Sequence, residues 1–202
     1  MPRGKRLSFK IKTPDGEVET TAGGVLLYRR RTDNADNADN AGIDLLLSFN
    51  RSKYEDLGGT VEEADADIRE TIAREVEEES NGMISATSIR ARISGDDFIY
   101  SRVSKYVLFV IEATEQEAHL TSDDFGPREL HDDFERTIRW VPLTEFLSPE
   151  TIRDRLNFRL KNRPLFDKVS GLQAGVVGPG VDVVPDEPTP ASASVRNTVY
   201  LF

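Results

Sequence analysis

The six residues Arg74-Glu75-Val76-Glu77-Glu78-Glu79 place four glutamates in a stretch whose apolar residues Ile68, Ile72 and Val76 recur at every fourth position. That period predicts an amphipathic helix over 65–80. Asn81-Gly82 ends it, because both residues tolerate the left-handed conformation that closes a helix. At about 100° per residue, Glu75, Glu78 and Glu79 fall within an arc of roughly 100°. On the same wheel Glu79 lies between Ile68 and Ile72, so the charged face overlaps the stripe that must pack against the rest of the protein. Carboxylates so placed repel one another, more strongly once water is excluded. A hard divalent cation offsets that repulsion through oxygen ligands and can also grip a pyrophosphate, which points to Mg2+ or Mn2+. Arg74, one turn before Glu78, is placed to pair with it and fix its orientation. The competing reading is an exposed acidic face of the kind many soluble helices carry.

Around this helix the chain reads as one globular domain with tails. Its 202 residues are 38% hydrophobic and 31% charged, which leaves little room for a second large core. Residues 8–18 predict a hairpin about Pro14-Asp15-Gly16, and 22–28 a buried strand that runs into Arg29, Arg30 and Arg31. The repeated Asp-Asn-Ala of 32–41 reads as a mobile loop. A strand follows at 42–49, then a loop over 50–57 leading to Gly58-Gly59. Further strands are expected at 89–93, 98–103, 105–112 and 137–143, with a long acidic loop over 115–136. Ser148-Pro149-Glu150 is a helix start, and the helix should run towards Arg163. Beyond Val169 the chain is rich in Gly, Pro, Ala and Ser and ends in the apolar Val195-Arg-Asn-Thr-Val-Tyr-Leu-Phe202, which reads as a disordered end or a segment that docks on a sheet edge or a partner.

The absence of cysteine excludes disulfides, zinc-thiolate sites and thiol nucleophiles, and only His119 and His131 carry imidazole. The net charge of -10 argues against broad binding to a nucleic-acid backbone. No run is apolar enough to span a bilayer, and the charged start, Met1-Pro2-Arg3-Gly4-Lys5-Arg6, lacks the apolar stretch of a secretory signal, so a soluble, cytoplasmic protein is expected.

Gly59 through Gly82 resembles the Nudix box: Gly, five residues, Glu, seven residues, Arg-Glu, an apolar residue, any residue, Glu-Glu, any residue, Gly, apolar. The sequence departs from it at three points. Asp65 stands for the first Glu, eight residues instead of seven separate it from Arg74, and Asn81 stands where Gly is usual. The extra residue should fall before Ile68. Ala22-Gly23-Gly24-Val25 looks like the family's opening strand and Arg139-Trp140-Val141-Pro142-Leu143 like its closing strand, so the resemblance covers about 20–147. It implies an α+β fold, an α/β/α sandwich with a mixed sheet packed between helices. Residues 1–20 would form an N-terminal hairpin extension, 21–168 the Nudix hydrolase domain and 169–202 a flexible tail.

The same resemblance implies a metal-dependent hydrolase that cleaves the phosphoanhydride bond of a nucleoside diphosphate-linked substrate. Glu78 and Glu79 would be ligands of Mg2+ or Mn2+, Glu75 a further ligand or the base, and the Gly59 carbonyl a further ligand. A loop glutamate before the closing tryptophan would join them: Glu135, with Glu129, Asp132 and Asp133 as alternates. Arg51 and Lys53 are candidate phosphate contacts, and Tyr100 a candidate substrate contact; exposed charge and core packing are the competing readings. A small nucleotide is the expected partner, with nucleic acid less favoured. Two other classes stay open. An RNA-directed enzyme such as a decapping pyrophosphohydrolase would use a basic surface of Arg29 to Arg31, Arg51, Lys53 and the Arg- and Lys-rich 153–163. A binding module that lost catalysis would be expected to lack a box carboxylate, and Glu75, Glu78 and Glu79 are all present.

Overall fold

The computed structural model describes residues 6–31, 42–130 and 135–174. The Asp-Asn-Ala repeat, Asp132, Asp133 and the apolar terminus lie outside them. The predicted hairpin is present as β1 (Phe9–Thr13) and β2 (Gly16–Thr20), turning at Gly16 with φ 118°. The main sheet has seven strands. Its central path runs β5 (Lys53–Glu55), β4 (Gly42–Asn50), β3 (Ala22–Arg31), β8 (Tyr106–Glu112) and β7 (Phe98–Ser101). β6 (Leu57–Thr60) also pairs with β3, and β9 (Thr137–Pro142) with β4. The sheet is mixed, because β3 and β8 run parallel while the other pairs are antiparallel.

The long apolar runs exist because both faces of this sheet are covered, and successive side chains feed opposite cores. Leu26, Leu45, Leu47, Tyr106 and Leu108 enter one core with Phe146, Leu160, Leu165 and Val169. Val25, Leu27, Leu46, Val107 and Phe109 enter the other with Ile68, Ile72, Val76 and Ile89. The second core is roofed by α1 (Ile68–Glu79), the predicted helix, and α2 (Ala86–Arg92). The extra residue precedes α1, whose turns are regular from Ile68 onward. Asn81 and Gly82 both take positive φ, 55° and 76°, and turn the chain away.

Asp67 caps α1: its carboxylate accepts from the Glu70 backbone N–H at 2.9 Å and receives Arg90 through two bonds of 2.9 Å. Asp67→Ala should therefore destabilise the fold by about 1 kcal/mol at neutral pH, the usual worth of such a cap. The Arg90 guanidinium, with burial opposing it, holds the Asp67 carboxyl below the ordinary carboxylate range. A depressed acid stabilises above its unfolded value, roughly pH 4, and that contribution fades as pH falls through the folded value. Thermal melts of both proteins should converge at the acid end; a constant difference down to that point would refute the assignment.

Four predictions are corrected. Residues 89–92 close α2, with Ile93 as its C-cap, instead of forming a strand: Ile89 and Ile93 are both buried, a spacing of four, while Arg90 and Arg92 reach Asp67 and Glu117. Over so short a window an alternating and a helical pattern cannot be told apart. The 50–57 loop contains β5 and leads into β6, because Arg51 and Ser52 take positive φ and make a two-residue hairpin turn. The 115–136 loop contains two helical turns, α3 (Glu115–Ala118) and α4 (Ser122–Phe125), each with a capping box, and α4 buries Phe125. The helix expected from Ser148 to Arg163 is broken. After α5 (Leu143–Phe146), a π turn at Thr151–Arg155 and a 3-10 turn at Phe158–Leu160 let Leu156 and Leu160 reach the core. The helix that follows, α6 (Arg163–Ala174), passes Val169 because Leu165 and Val169 are fully buried.

Candidate active site

The Gly-Gly bend is part of β6, paired with the glycines of β3: Gly58 lies opposite Gly24 and Gly59 opposite Gly23. Alternation along β6 sends the two positions to opposite sides. A Cβ on Gly59 would overlap the Glu75 carboxylate. One on Gly58 would meet the Gly23 carbonyl and the Tyr106 hydroxyl. Glycine at 59 lets α1 lay the Glu75 carboxylate directly against the strand backbone. The Gly58 N–H donates to the Glu79 carboxylate at 3.1 Å.

Arg74 organises the other acids. It donates to Asp65 through Nε at 3.1 Å and Nη2 at 3.2 Å, to Glu78 through Nη1 at 3.0 Å, and to the Thr60 carbonyl at 3.2 Å. Its Nη2 is also 3.1 Å from Glu75. Burial alone would lower the Arg74 guanidinium, but Asp65, Glu75 and Glu78 outweigh it and raise it further. Burial likewise works to raise Asp65, and is outweighed by Arg74, the Glu62 N–H and Thr71, so that its carboxyl sits below the ordinary range. Asp65 therefore locks Arg74 from behind, and its side chain is 2% exposed.

Two carboxyls are pushed the other way. Burial raises Glu75, with the like charge of Glu78 adding and Arg74 opposing. Burial raises Glu79 well above the ordinary range, and Glu129, Asp56 and Glu75 add like charge. Behind Glu79, the Asp56 side chain is fully buried: Oδ2 accepts from the Tyr106 hydroxyl, and Oδ1 has no hydrogen-bond partner, with Arg159 3.9 Å away. Negative charge is thus concentrated at the β6–α1 junction in excess of the cations that face it. The donor set, carboxylate oxygens and a strand backbone with no Cβ in the way, suits a hard divalent ion. Among the described residues no three acidic or histidine side chains stand close enough together to hold a cation as they are. Glu75 and Glu78 are turned onto Arg74, and Glu79 onto Gly58.

The other sequence candidates fall elsewhere. Glu135 is 80% exposed and 3.6 Å from Arg128; the loop acid whose charge acts on Glu79 is Glu129. The reason is the residue beside it. Arg136 is buried and donates to the carbonyls of Gly126 and Glu79, and neighbours on an extended segment point to opposite sides. Arg51 sits at the exposed tip of the β4–β5 turn, Lys53 donates to the Asp154 carbonyl at 2.7 Å, and the Tyr100 hydroxyl donates to the Glu19 carbonyl at 2.6 Å on the far edge of the sheet. Asp56, Tyr106 and Arg136 have no site signal in the sequence, and Arg159 reads there only as part of a basic surface. Each lies on a strand end or in a loop, and their convergence depends on the β3–β6 and β3–β8 pairings.

A mixed sheet between helical layers, with a glycine-lined strand end set against an acid-bearing helix, defines the Nudix class of fold. The chain belongs to that family: its NUDIX domain model matches residues 16–162. No curated protein matches the chain. Membership supports a hydrolase acting on pyrophosphate bonds, a class that generally uses divalent metals such as Mg2+. No helix among the described residues is long and apolar enough to cross a membrane.

Proposed function

We propose that the protein is a Mg2+- or Mn2+-dependent pyrophosphohydrolase of a small nucleoside diphosphate-linked substrate. The observation that carries the reading is the excess of carboxylate at the β6–α1 junction, where Glu79 is desolvated among like charges and Glu75 lies against Gly59. Glu75, Glu78 and Glu79, with the Gly59 carbonyl, would hold the ion. The chemistry that a bound ion supplies is neutralisation of the pyrophosphate and polarisation of the attacking water. Arg74 sets the rotamers of Glu75 and Glu78 and is itself held by Asp65. The proton lost by the water goes to a carboxylate of the cluster, and Glu75, steered by Arg74 at 3.1 Å, is assigned that role. One phosphoanhydride bond breaks and one new P–O bond forms to the water oxygen. Glu129 replaces Glu135 as the loop acid assigned to the site.

The test is a panel of nucleoside triphosphates, nucleotide sugars, ADP-ribose, dinucleoside polyphosphates and capped RNA, assayed for phosphate or nucleoside monophosphate release. At least one small nucleotide should be cleaved with Mg2+ or Mn2+ and spared in EDTA, and Glu78→Gln should abolish the reaction with an unchanged melt. If no member is cleaved with either metal, the chain is a binding module instead.

A further inference from the structure

A cavity of about 460 Å³ opens on the other edge of the molecule, between the tip of the β1–β2 hairpin, the terminal strand β7 and the segment after the π turn. Gly59, Glu75, Glu78 and Glu79 do not line it. Its size is that of a small-molecule site. Its lining is rich in cations for so acidic a protein. Arg102, Arg159, Lys161 and Arg163 line it, and Asp15 is the only carboxylate among the described residues that do so, in a chain of net charge -10.

Aromatic surface accompanies the cations. Phe158 is 65% exposed although it follows the buried Leu156 and precedes the buried Leu160, and Tyr100, held through its hydroxyl, lines the same cavity. Beside these cations the open ring offers a flat face on which a base can stack. Arg102 meets Asp15 at 3.4 Å and Arg163 meets Asp167 at 3.6 Å, both exposed pairs, and the Lys161 ammonium donates to the Arg153 carbonyl at 2.7 Å, so a phosphate would have to compete with each of these contacts. The deepest cation, Arg159, is fixed over the Tyr106 ring at 4.7 Å and is balanced by Glu55 at 3.6 Å and Asp56 at 3.9 Å, so the phosphate is left to the outer cations.

We propose that this cavity is a second, non-catalytic binding site for a nucleoside monophosphate, with the base on Phe158 and Tyr100 and the phosphate between Arg102, Lys161 and Arg163. The pairing of a flat π-face with several cations selects a ligand that is both aromatic and dianionic. The site stands whether or not the acidic helix is hydrolytic, because none of the residues assigned to hold the ion lines it; Arg159 touches both, through Asp56.

The experiment uses the full chain in EDTA, which silences metal-dependent turnover, and measures binding of AMP by titration calorimetry. Saturable one-site binding is expected, unchanged in Glu78→Gln and weakened about tenfold in Phe158→Ala, through loss of one stacked ring. The double variant Lys161→Glu/Arg163→Glu should weaken it at least about tenfold. Both substitutions are at surface positions, and an unchanged melt confirms that the fold is kept. Ribose 5-phosphate and adenosine, each offering half of the ligand, should bind more weakly than AMP. No binding of AMP at millimolar concentration overturns the proposal. So does loss of binding in Glu78→Gln, which would place the ligand at the acidic helix, or undiminished binding in the double variant. Failure here leaves the nucleotide panel untouched, and failure of the panel leaves this titration untouched.

Discussion

Glu79→Gln should raise the melting temperature of the metal-free protein while lowering Mg2+-dependent hydrolysis at least about a hundredfold, as expected if some 3 kcal/mol of transition-state stabilisation is lost. The two effects have one origin. In the metal-free state the Glu79 carboxylate is desolvated, hears Glu129, Asp56 and Glu75, and has the Gly58 N–H as its hydrogen-bond donor. Glutamine keeps the acceptor that Gly58 requires and removes the charge, a change worth roughly 1 kcal/mol to the fold. The same substitution takes away an assigned ligand. Melts in EDTA, beside activity in Mg2+, measure both. Unchanged turnover would remove Glu79 from the site, and a lower melt would mean that its charge is already balanced in the protein.

Arg74→Met carries the largest expected stability loss, about 3 kcal/mol, the usual cost of breaking a buried ion pair from one side. Asp65 would keep only Thr71 and the Glu62 N–H, and Glu75 and Glu78 would face each other without a cation between them. Arg74→Lys should lose less but should not recover wild-type stability, because a point charge cannot serve Asp65, Glu78 and the Thr60 carbonyl as a planar fork does. Denaturant titrations at equal slope give both values. A wild-type midpoint for Arg74→Met would show that Asp65 is satisfied without it.

The helix that carries the acids was legible because its period is long and its C-terminal end is marked by Asn81-Gly82; its start, expected at 65, falls two residues before the Asp67 cap. The three-layer arrangement came from the resemblance to the Nudix box; the apolar runs by themselves announced only buried strands, such as the one at 105–112. The short elements were less legible. Residues 89–93 offer too few positions to separate alternation from helical spacing, and the β4–β5 turn uses Arg51 and Ser52 at positive φ, where no glycine announces it. Of the site, Glu75, Glu78, Glu79, Arg74 and Gly59 come together as the spacing of one helix and one strand end dictates. Asp56, Tyr106 and Glu129 do not share an element with them, so no local period could group them with the helix. Glu135 was chosen by distance from Trp140, and the side a residue faces on an extended segment depends on its neighbour, here the buried Arg136.

The last turn of α1 contains no basic residue, although its carbonyls form the negative pole of the helix. Arg136, 57 positions downstream, supplies that counter-charge by donating to the Glu79 carbonyl. The backbone N–H groups of Ser80, Asn81 and Gly82 close the other carbonyls locally, so the Glu79 carbonyl waits on the residue that leads into β9. A nascent or truncated chain stopping short of Arg136 would leave the Glu79 carbonyl without this donor, so the last turn of α1 acquires its counter-charge late in synthesis.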